Sequence, residues 1–187
     1  MELQNKGKSV VRFNWFPEIE LKELGACKHP HPADKNAIGY DLYVPEHVYI
    51  APHSRVVVKT NVSLNLPRNV EAKVEPRSGF SVKGVEGIGM RKTWGFKWGF
   101  IPWLYVETGV LRFDADVIPG KIDPGYKGNI GVIVNNHEDI GFTIQRGTRI
   151  AQLTFYRVVH PRFKVVEELG GEDRGGGFGS TGTREEK

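Results

Sequence analysis

The sequence predicts an all-β domain, and three observations predict it. Apolar and polar residues alternate in short runs, no stretch carries a long helical period, and Gly, Pro and Asn punctuate the runs. With 23 Gly and 11 Pro in 187 residues the turns are well supplied, as a sandwich, jelly roll or barrel requires. Strands are expected at residues 10–13, 40–44, 47–50 and 55–59. Residues 61–66 place Val62, Leu64 and Leu66 on one face, and residues 70–75 do the same with Val70, Ala72 and Val74. Further strands are expected at 129–135, 142–144, 149–157 and 163–166.

Two segments leave this pattern. Residues 84–113 hold Trp94, Trp98 and Trp103, three of the four tryptophans, with Phe96, Phe100 and Tyr105. Large aromatics dominate packing, so this aromatic-rich insertion reads as a hairpin covering its own core or a neighbouring subunit. A surface for a protein partner is the alternative. Arg91, Lys92 and Lys97 interleave with the rings, but three cations are too few for a single-strand stacking groove, and no nucleic acid partner is expected. The second segment is 170–187, where Gly170, Gly171, Gly175, Gly176, Gly177, Gly179 and Gly182 leave few side chains to bury. It divides the chain into a folded domain, 1–169, and a flexible glycine-rich lid, 170–187. Glycine admits phosphates close to the backbone, and Arg174, Ser180 and Thr181 add donors.

Composition excludes several classes. At 39% hydrophobic and 26% charged, with 26 Lys plus Arg against 22 Asp plus Glu, the chain has enough apolar residues for a core and only a mild positive excess. That excess suits an anionic small molecule without naming one. The longest apolar run, residues 101–106, is far short of the ~20 residues of a membrane helix, so no membrane partner is expected. The N-terminus shows no secretory pattern and Cys27 is the only cysteine, so the expected compartment is the cytoplasm.

Residues 117–126 are the most informative decapeptide. Pro119-Gly120 and Pro124-Gly125 each suggest a type II turn, with Lys121, Ile122 and Asp123 held between them. A carboxylate fixed between stiff turns suits a general base if a water can be placed beside it, although Asp beside Pro-Gly is also ordinary turn chemistry. Arg77-Ser78-Gly79 offers a guanidinium, a hydroxyl and an accessible amide, which suits phosphate oxygens as readily as a surface turn. Cys27, His29 and His31 have metal-ligand spacing, but no fourth ligand is evident and structural zinc is disfavoured. A Walker loop, a dinucleotide glycine fingerprint, a nucleophile elbow and the paired cysteines of a zinc deaminase are absent from the sequence.

Taken in order, five blocks resemble the trimeric dUTP diphosphatase (dUTPase) family: Gly39-Tyr40-Asp41-Leu42, Pro76-Arg77-Ser78-Gly79, Ile122-Asp123-Pro124-Gly125-Tyr126-Lys127-Gly128 running on to Asn135, Arg149-Ile150-Ala151-Gln152-Leu153, and Phe178-Gly179-Ser180-Thr181-Gly182. The resemblance implies a jelly-roll homotrimer with active sites at subunit interfaces, each completed by the C-terminal tail of another chain. It implies hydrolysis of dUTP to dUMP and pyrophosphate, which keeps uracil out of DNA and supplies dUMP for thymidylate synthesis. Asp123 would activate the water that attacks the α-phosphorus. Mg2+ would be held mostly by substrate phosphates, with Asp41 orienting a metal-bound water. Arg77, Ser78, Gly79 and Gln152 would hold phosphates, and Tyr126 would pack on the deoxyribose and exclude a 2′-hydroxyl. A hairpin over 117–122, with Val117, Gly120, Lys121 and Ile122, would read uracil through its backbone. Phe178 and Gly179 would close over the base, with Arg174, Ser180 and Thr181 around the γ-phosphate.

The chain departs from the family pattern in three places. Only three glycines separate Arg174 from Phe178, Pro119 removes a backbone N–H from the uracil hairpin, and the insertion lies beside the active-site blocks. A dCTP deaminase, alone or bifunctional, needs a glutamate about ten residues after the Asp-Pro-Gly aspartate, where this chain has Ile133. Regulation through a protein bound at the insertion is the reading from a different class. A catalytically dead structural trimer would require loss of the base or the lid, and both are present.

Overall fold

The computed structural model describes residues 17–173. The strand expected at 10–13 and the tail from Arg174 onward lie outside them. Strands run in the order β1 (Glu20–Glu23), β2 (His31–Pro32), β3 (Tyr40–Tyr43), β4 (Val48–Ile50), β5 (Arg55–Lys59), β6 (Val62–Asn65) and β7 (Val70–Pro76). A short helix α1 (Ser78–Lys83) follows, then β8 (Val85–Lys97), β9 (Ile101–Phe113), β10 (Ala115–Ile118), β11 (Gly120–Ile122), β12 (Gly131–Asn136), β13 (Phe142–Ile144) and β14 (Arg149–Arg157). They form four antiparallel groups, β1-β6, β10-β12-β5, β11-β7-β14-β3-β2 and β4-β13-β8-β9. The result is the all-β, jelly-roll-like fold that the alternation predicts.

Period-two patterning builds the core. In β7, Val70, Ala72 and Val74 are buried while Glu71 and Lys73 are half-buried, and in β12 Val132 and Val134 face in while Ile133 faces out. Ile50, Val62, Ile144, Ile150 and Leu153 fill the space between the sheets. α1 ties itself to this core with Phe80, and Phe80 and Ser81 donate to the Arg77 carbonyl at 2.9 and 3.0 Å.

Two expectations change. Residues 117–122 do not form a hairpin, because β10 pairs with β12 whereas β11 pairs with β7 in a different sheet. Pro119 sits where the chain crosses between sheets, and it has no N–H with which to continue a ladder. Nor is either Pro-Gly pair a type II turn, since neither Gly120 nor Gly125 has the positive φ that type demands. Asp123 to Tyr126 is a turn all the same, closed by the Tyr126 amide donating to the Asp123 carbonyl at 2.9 Å. Residues 163–166 are not a strand in the single chain: they pair with no other described strand, and Phe163 and Val165 are almost fully exposed.

The aromatic-rich segment is a long β-ribbon, β8 paired with β9 over 13 rungs from Val85↔Phe113 to Lys97↔Ile101. Its base belongs to the core. Phe113 stacks on Phe142 with ring centroids 4.4 Å apart, and both rings press on the backbone of β8, so that a Cβ on Gly89 would meet Phe113 Cζ at 2.6 Å. Its far end projects, with Trp94, Phe96, Trp98 and Phe100 exposed and the Lys97 ammonium over the rings of Trp98 and Trp103. The single chain therefore does not fold the aromatic end over its own core.

Gly89→Ala is expected to destabilise the protein by about 1–3 kcal/mol through overpacking against Phe113. Phe100→Ser, at the exposed tip, should stay within about 0.5 kcal/mol of the parent. Urea unfolding midpoints of the two variants distinguish the packed base from the free end.

Candidate active site

Three of the sequence blocks meet on the five-stranded sheet. β14 lies between β3 and β7, and the register places Gln152 opposite Asp41 on one side and Glu75 on the other. Asp41 is buried, and two guanidiniums converge on it. Arg77 Nε donates to one carboxylate oxygen at 2.7 Å and Arg149 Nη1 to the other at 3.2 Å. Both arginines keep part of their surface open, so the pair can face a ligand while Asp41 holds it in place. Gln152 Nε2 donates to the Pro76 carbonyl at 3.3 Å, and a Cβ at Gly39 would strike Gln152 Oε1 at 2.4 Å. A glycine at 39 thus leaves room for the Gln152 side chain.

Beside this cluster lies a cavity of about 300 Å³ whose lining includes Arg77, Gly79, Lys83, Arg112, Thr148 and Arg149. Glu86 lines it too and pairs closely with Arg112. Counting Asp41, four cations face two carboxylates, which leaves a positive field suited to a polyphosphate. Ser78 and Gly79 are exposed at the start of α1. The sequence reading missed Arg149 as a site residue. Its signal was its place at the head of the Arg149–Leu153 block, but nothing in the sequence shows that it shares a carboxylate with Arg77.

Asp123 and Tyr126 are elsewhere. β11 pairs antiparallel with β7, Gly120 with Val74 and Ile122 with Ala72, so Asp123 leaves the sheet at the end opposite to the Asp41–Gln152–Glu75 row. Three strand spacings across and about four residues along separate Asp123 from Asp41 by roughly 20 Å within one chain. The turn carrying Asp123 is nonetheless well held. Ser63 Oγ donates to the Lys127 carbonyl at 2.8 Å, Lys127 Nζ reaches Asn65 and the Pro124 carbonyl, and Tyr126 OH donates to the Asn129 carbonyl at 2.8 Å. Gly128 is needed here, because a Cβ would lie 2.6 Å from the Tyr126 ring.

Val117 and Ile122 bury their side chains in the core, so they can meet a ligand only through backbone. β10 and β11 are each the outer strand of their group and, among the described residues, have one backbone edge unpaired. A Cβ at Gly120 would touch nothing within 4 Å, so the sheet face at that position is open. Lys121 turns away to Glu71 at 3.1 Å, and this hydrogen bond, opposed by partial burial of the acid, holds the Glu71 carboxyl below its usual range. Arg174, Phe178, Gly179, Ser180 and Thr181 lie outside the described residues. Among the described residues no carboxylate cage for a hard cation accompanies this site, since the one group of metal-ligating side chains is Glu23, Cys27 and His29, away from it.

With this geometry the chain can be set against known proteins. A family model described as dUTPase matches residues 26–96 and 112–182. The deoxyuridine 5′-triphosphate nucleotidohydrolase of camelpox virus is 35% identical over 177 residues, covering 94% of this chain and 95% of that protein. The chain belongs to the dUTPase family. The corresponding variola virus protein is likewise 35% identical over the same shares. Among solved structures, the dUTPase of Staphylococcus bacteriophage 80alpha with dUpNHpp superposes with a TM-score of 0.69 at 24% identity, covering 89% of this chain and 99% of that one. A phage phi11 dUTPase described as having a species-specific insert superposes with a TM-score of 0.62 at 22% identity, over 82% of this chain and 98% of that one. Between its two matched stretches the family model leaves residues 97–111 unmatched, which cover the tip and most of the second strand of the aromatic ribbon.

Asp41→Asn is expected to lower stability by about 1–3 kcal/mol, because it leaves two part-buried guanidiniums without their shared anion. A denaturant midpoint equal to that of the parent would show that the arginines do not depend on Asp41.

Proposed function

We propose that this dUTPase hydrolyses dUTP to dUMP and pyrophosphate at sites shared between copies of the chain. The observation that carries this reading is the convergence of Arg77 and Arg149 on Asp41 beside a cationic cavity, while the Asp-Pro-Gly-Tyr turn stands roughly 20 Å away. A polyphosphate bound at the first cannot reach Asp123 of the same chain. A homotrimer resolves this by setting the Asp123 turn of one copy against the arginines of another. The exposed side chains of Phe163, Val165 and Leu169 support the same reading, since an apolar run without cover in the single chain suits packing on a neighbour.

In this reading Arg77, Arg149, Ser78, Gly79 and Gln152 hold the phosphate chain in one extended conformation. Asp123 takes the proton of a water as that water attacks the α-phosphorus in line, and pyrophosphate leaves. Tyr126, fixed by its bond to Asn129, stands against the deoxyribose and leaves no room for a 2′-hydroxyl. The open backbone edge at Gly120 pairs with uracil, and Pro119 confines that pairing to the residues around it. The tail, with Phe178, Gly179, Ser180, Thr181 and Arg174, closes over the substrate. Mg2+ carried by the phosphates would neutralise charge on them; with both oxygens engaged by arginine, Asp41 serves first to position Arg77 and Arg149, and orienting a metal-bound water would compete with those ion pairs. The role is removal of dUTP and supply of dUMP in the cytoplasm. The ribbon tip is the surface for any protein partner. Deamination is disfavoured, because Ile133, ten residues after Asp123, packs opposite Ile118 and Val57 and has no proton to give.

Asp123→Asn should abolish turnover while dUTP still binds, measured by pyrophosphate release and by calorimetry; undiminished turnover refutes the base. Asp123→Asn and Arg77→Ala chains, each inactive alone, should recover about a quarter of parental activity when co-refolded in equal amounts, the chance that a shared site draws an intact residue from each. Failure of the mixture to recover would place the whole site in one chain. Pyrophosphate release should follow dUTP and not dCTP, dTTP or UTP, with no ammonia from dCTP.

A further inference from the structure

We propose that Glu23, Cys27 and His29 form a zinc-binding site that ties the first strand to the edge of the active-site sheet. The ligand atoms of the three side chains lie within 4.8 Å of one another. The Glu23 carboxylate and His29 Nε2 are already in close contact. The spacing Cys27-x-His29 supplies two ligands from sequence, and the third comes from the end of β1, where a pattern search has no reason to look. His31 lines the same cavity with Cys27, Lys28, His29 and Tyr43 but commits its Nδ1 to the Pro32 carbonyl at 2.7 Å. The fourth position falls to water.

The backbone that presents these groups is held in place. Glu23 pairs with Val62 at the end of the β1–β6 ladder. The next residue, Leu24, donates its amide to the Asn61 carbonyl at 2.9 Å, and Asn61 Nδ2 donates to the Ala26 carbonyl at 3.2 Å. Asn61 therefore clamps the reversal of the chain from both sides, with Glu23 and Cys27 left on either flank. Cys27 is partly buried against the core, so its sulfur has a fixed position, while Glu23 and His29 are more than half exposed and free to adjust. Zinc bond lengths of about 2.0–2.3 Å require ligand atoms about 3.3–3.7 Å apart, which rotation of the two exposed side chains can supply.

Ligand chemistry selects the ion. A thiolate, an imidazole and a carboxylate suit a borderline-soft divalent cation in tetrahedral geometry and do not suit Mg2+ or Ca2+, which take oxygen ligands. Thiolate and carboxylate together balance the two positive charges of the ion. The Lys28 ammonium, the one cation lining the cavity, is held over the Tyr43 ring at 4.1 Å. Loading would link β1 to the segment that enters β2, whose His31 lies opposite Asp41 in the sheet. The site needs no nucleotide and stands whether or not the reading of the active site is correct.

Full-length protein stripped of metal and kept in excess Mg2+ should bind one Co2+ per chain with a thiolate-to-cobalt charge-transfer band in the near ultraviolet, bleached by Zn2+. Cys27→Ser should abolish the band, and Glu23→Gln or His29→Ala should weaken Co2+ binding by about tenfold or more. Zinc should raise the melting temperature of the parent and leave that of Cys27→Ser unchanged, while dUTP hydrolysis in Mg2+ is the same for both. Absence of the charge-transfer band, or equal Co2+ affinity in the parent, Cys27→Ser and Glu23→Gln, overturns the proposal.

Discussion

One buried carboxylate, Asp41, holds together parts of the chain that sequence separates widely. Arg77 follows β7, Arg149 opens β14 and Asp41 sits on β3, so the ion pairs cross three neighbouring strands of one sheet. A buried carboxylate without partners would be costly, and two guanidiniums left near each other without an anion would repel. The three groups are mutually required, and the cavity beside them inherits their orientation. The cavity-facing surfaces of the arginines are set by these ion pairs.

The same sheet that gathers Asp41, Arg77 and Arg149 separates them from Asp123. Pro119 ends β10 in one sheet and starts the chain along β11 in another, and β11 runs away from the Asp41 row. The Asp123 turn is rigid in its own right, clamped by Ser63, Asn65 and the Pro124 carbonyl through Lys127. Within one chain neither part can drift toward the other without breaking a ladder. After β14 the apolar residues Phe163, Val165 and Leu169 are exposed in the single chain.

The ribbon β8–β9 combines two regimes in one element. At its base Gly87 and Gly89 let Phe113 and Phe142 lie on the strand, and that close approach fixes the ribbon to the core. Beyond Arg91, which reaches Glu138 at 2.7 Å, the ribbon strands pair with each other, as at Trp94↔Leu104 and Phe96↔Pro102, and with no other described strand. Exposed aromatics on a two-stranded ribbon are tolerated because the base is anchored, and they remain available to a partner.

Alternation in segments such as Val70–Pro76 and Arg149–Arg157 was legible as strands, because burial of one face imposes a period of two that no turn can hide. Asp41, Arg77, Gln152 and Asp123 stood out in the sequence because they lie in blocks that resemble those of the dUTPase family. By itself the sequence determined the fold class and the family. Only the tertiary structure decided which residues meet: that Arg149 shares Asp41 with Arg77, that Glu23 lies close to Cys27 and His29, that Pro119 switches sheets instead of turning a hairpin, and that Asp123 stands far from Asp41 and its arginines within one chain. Those facts depend on strand order and register, which arise from long-range pairing, and a local pattern of residues does not encode which distant strand will pair with it.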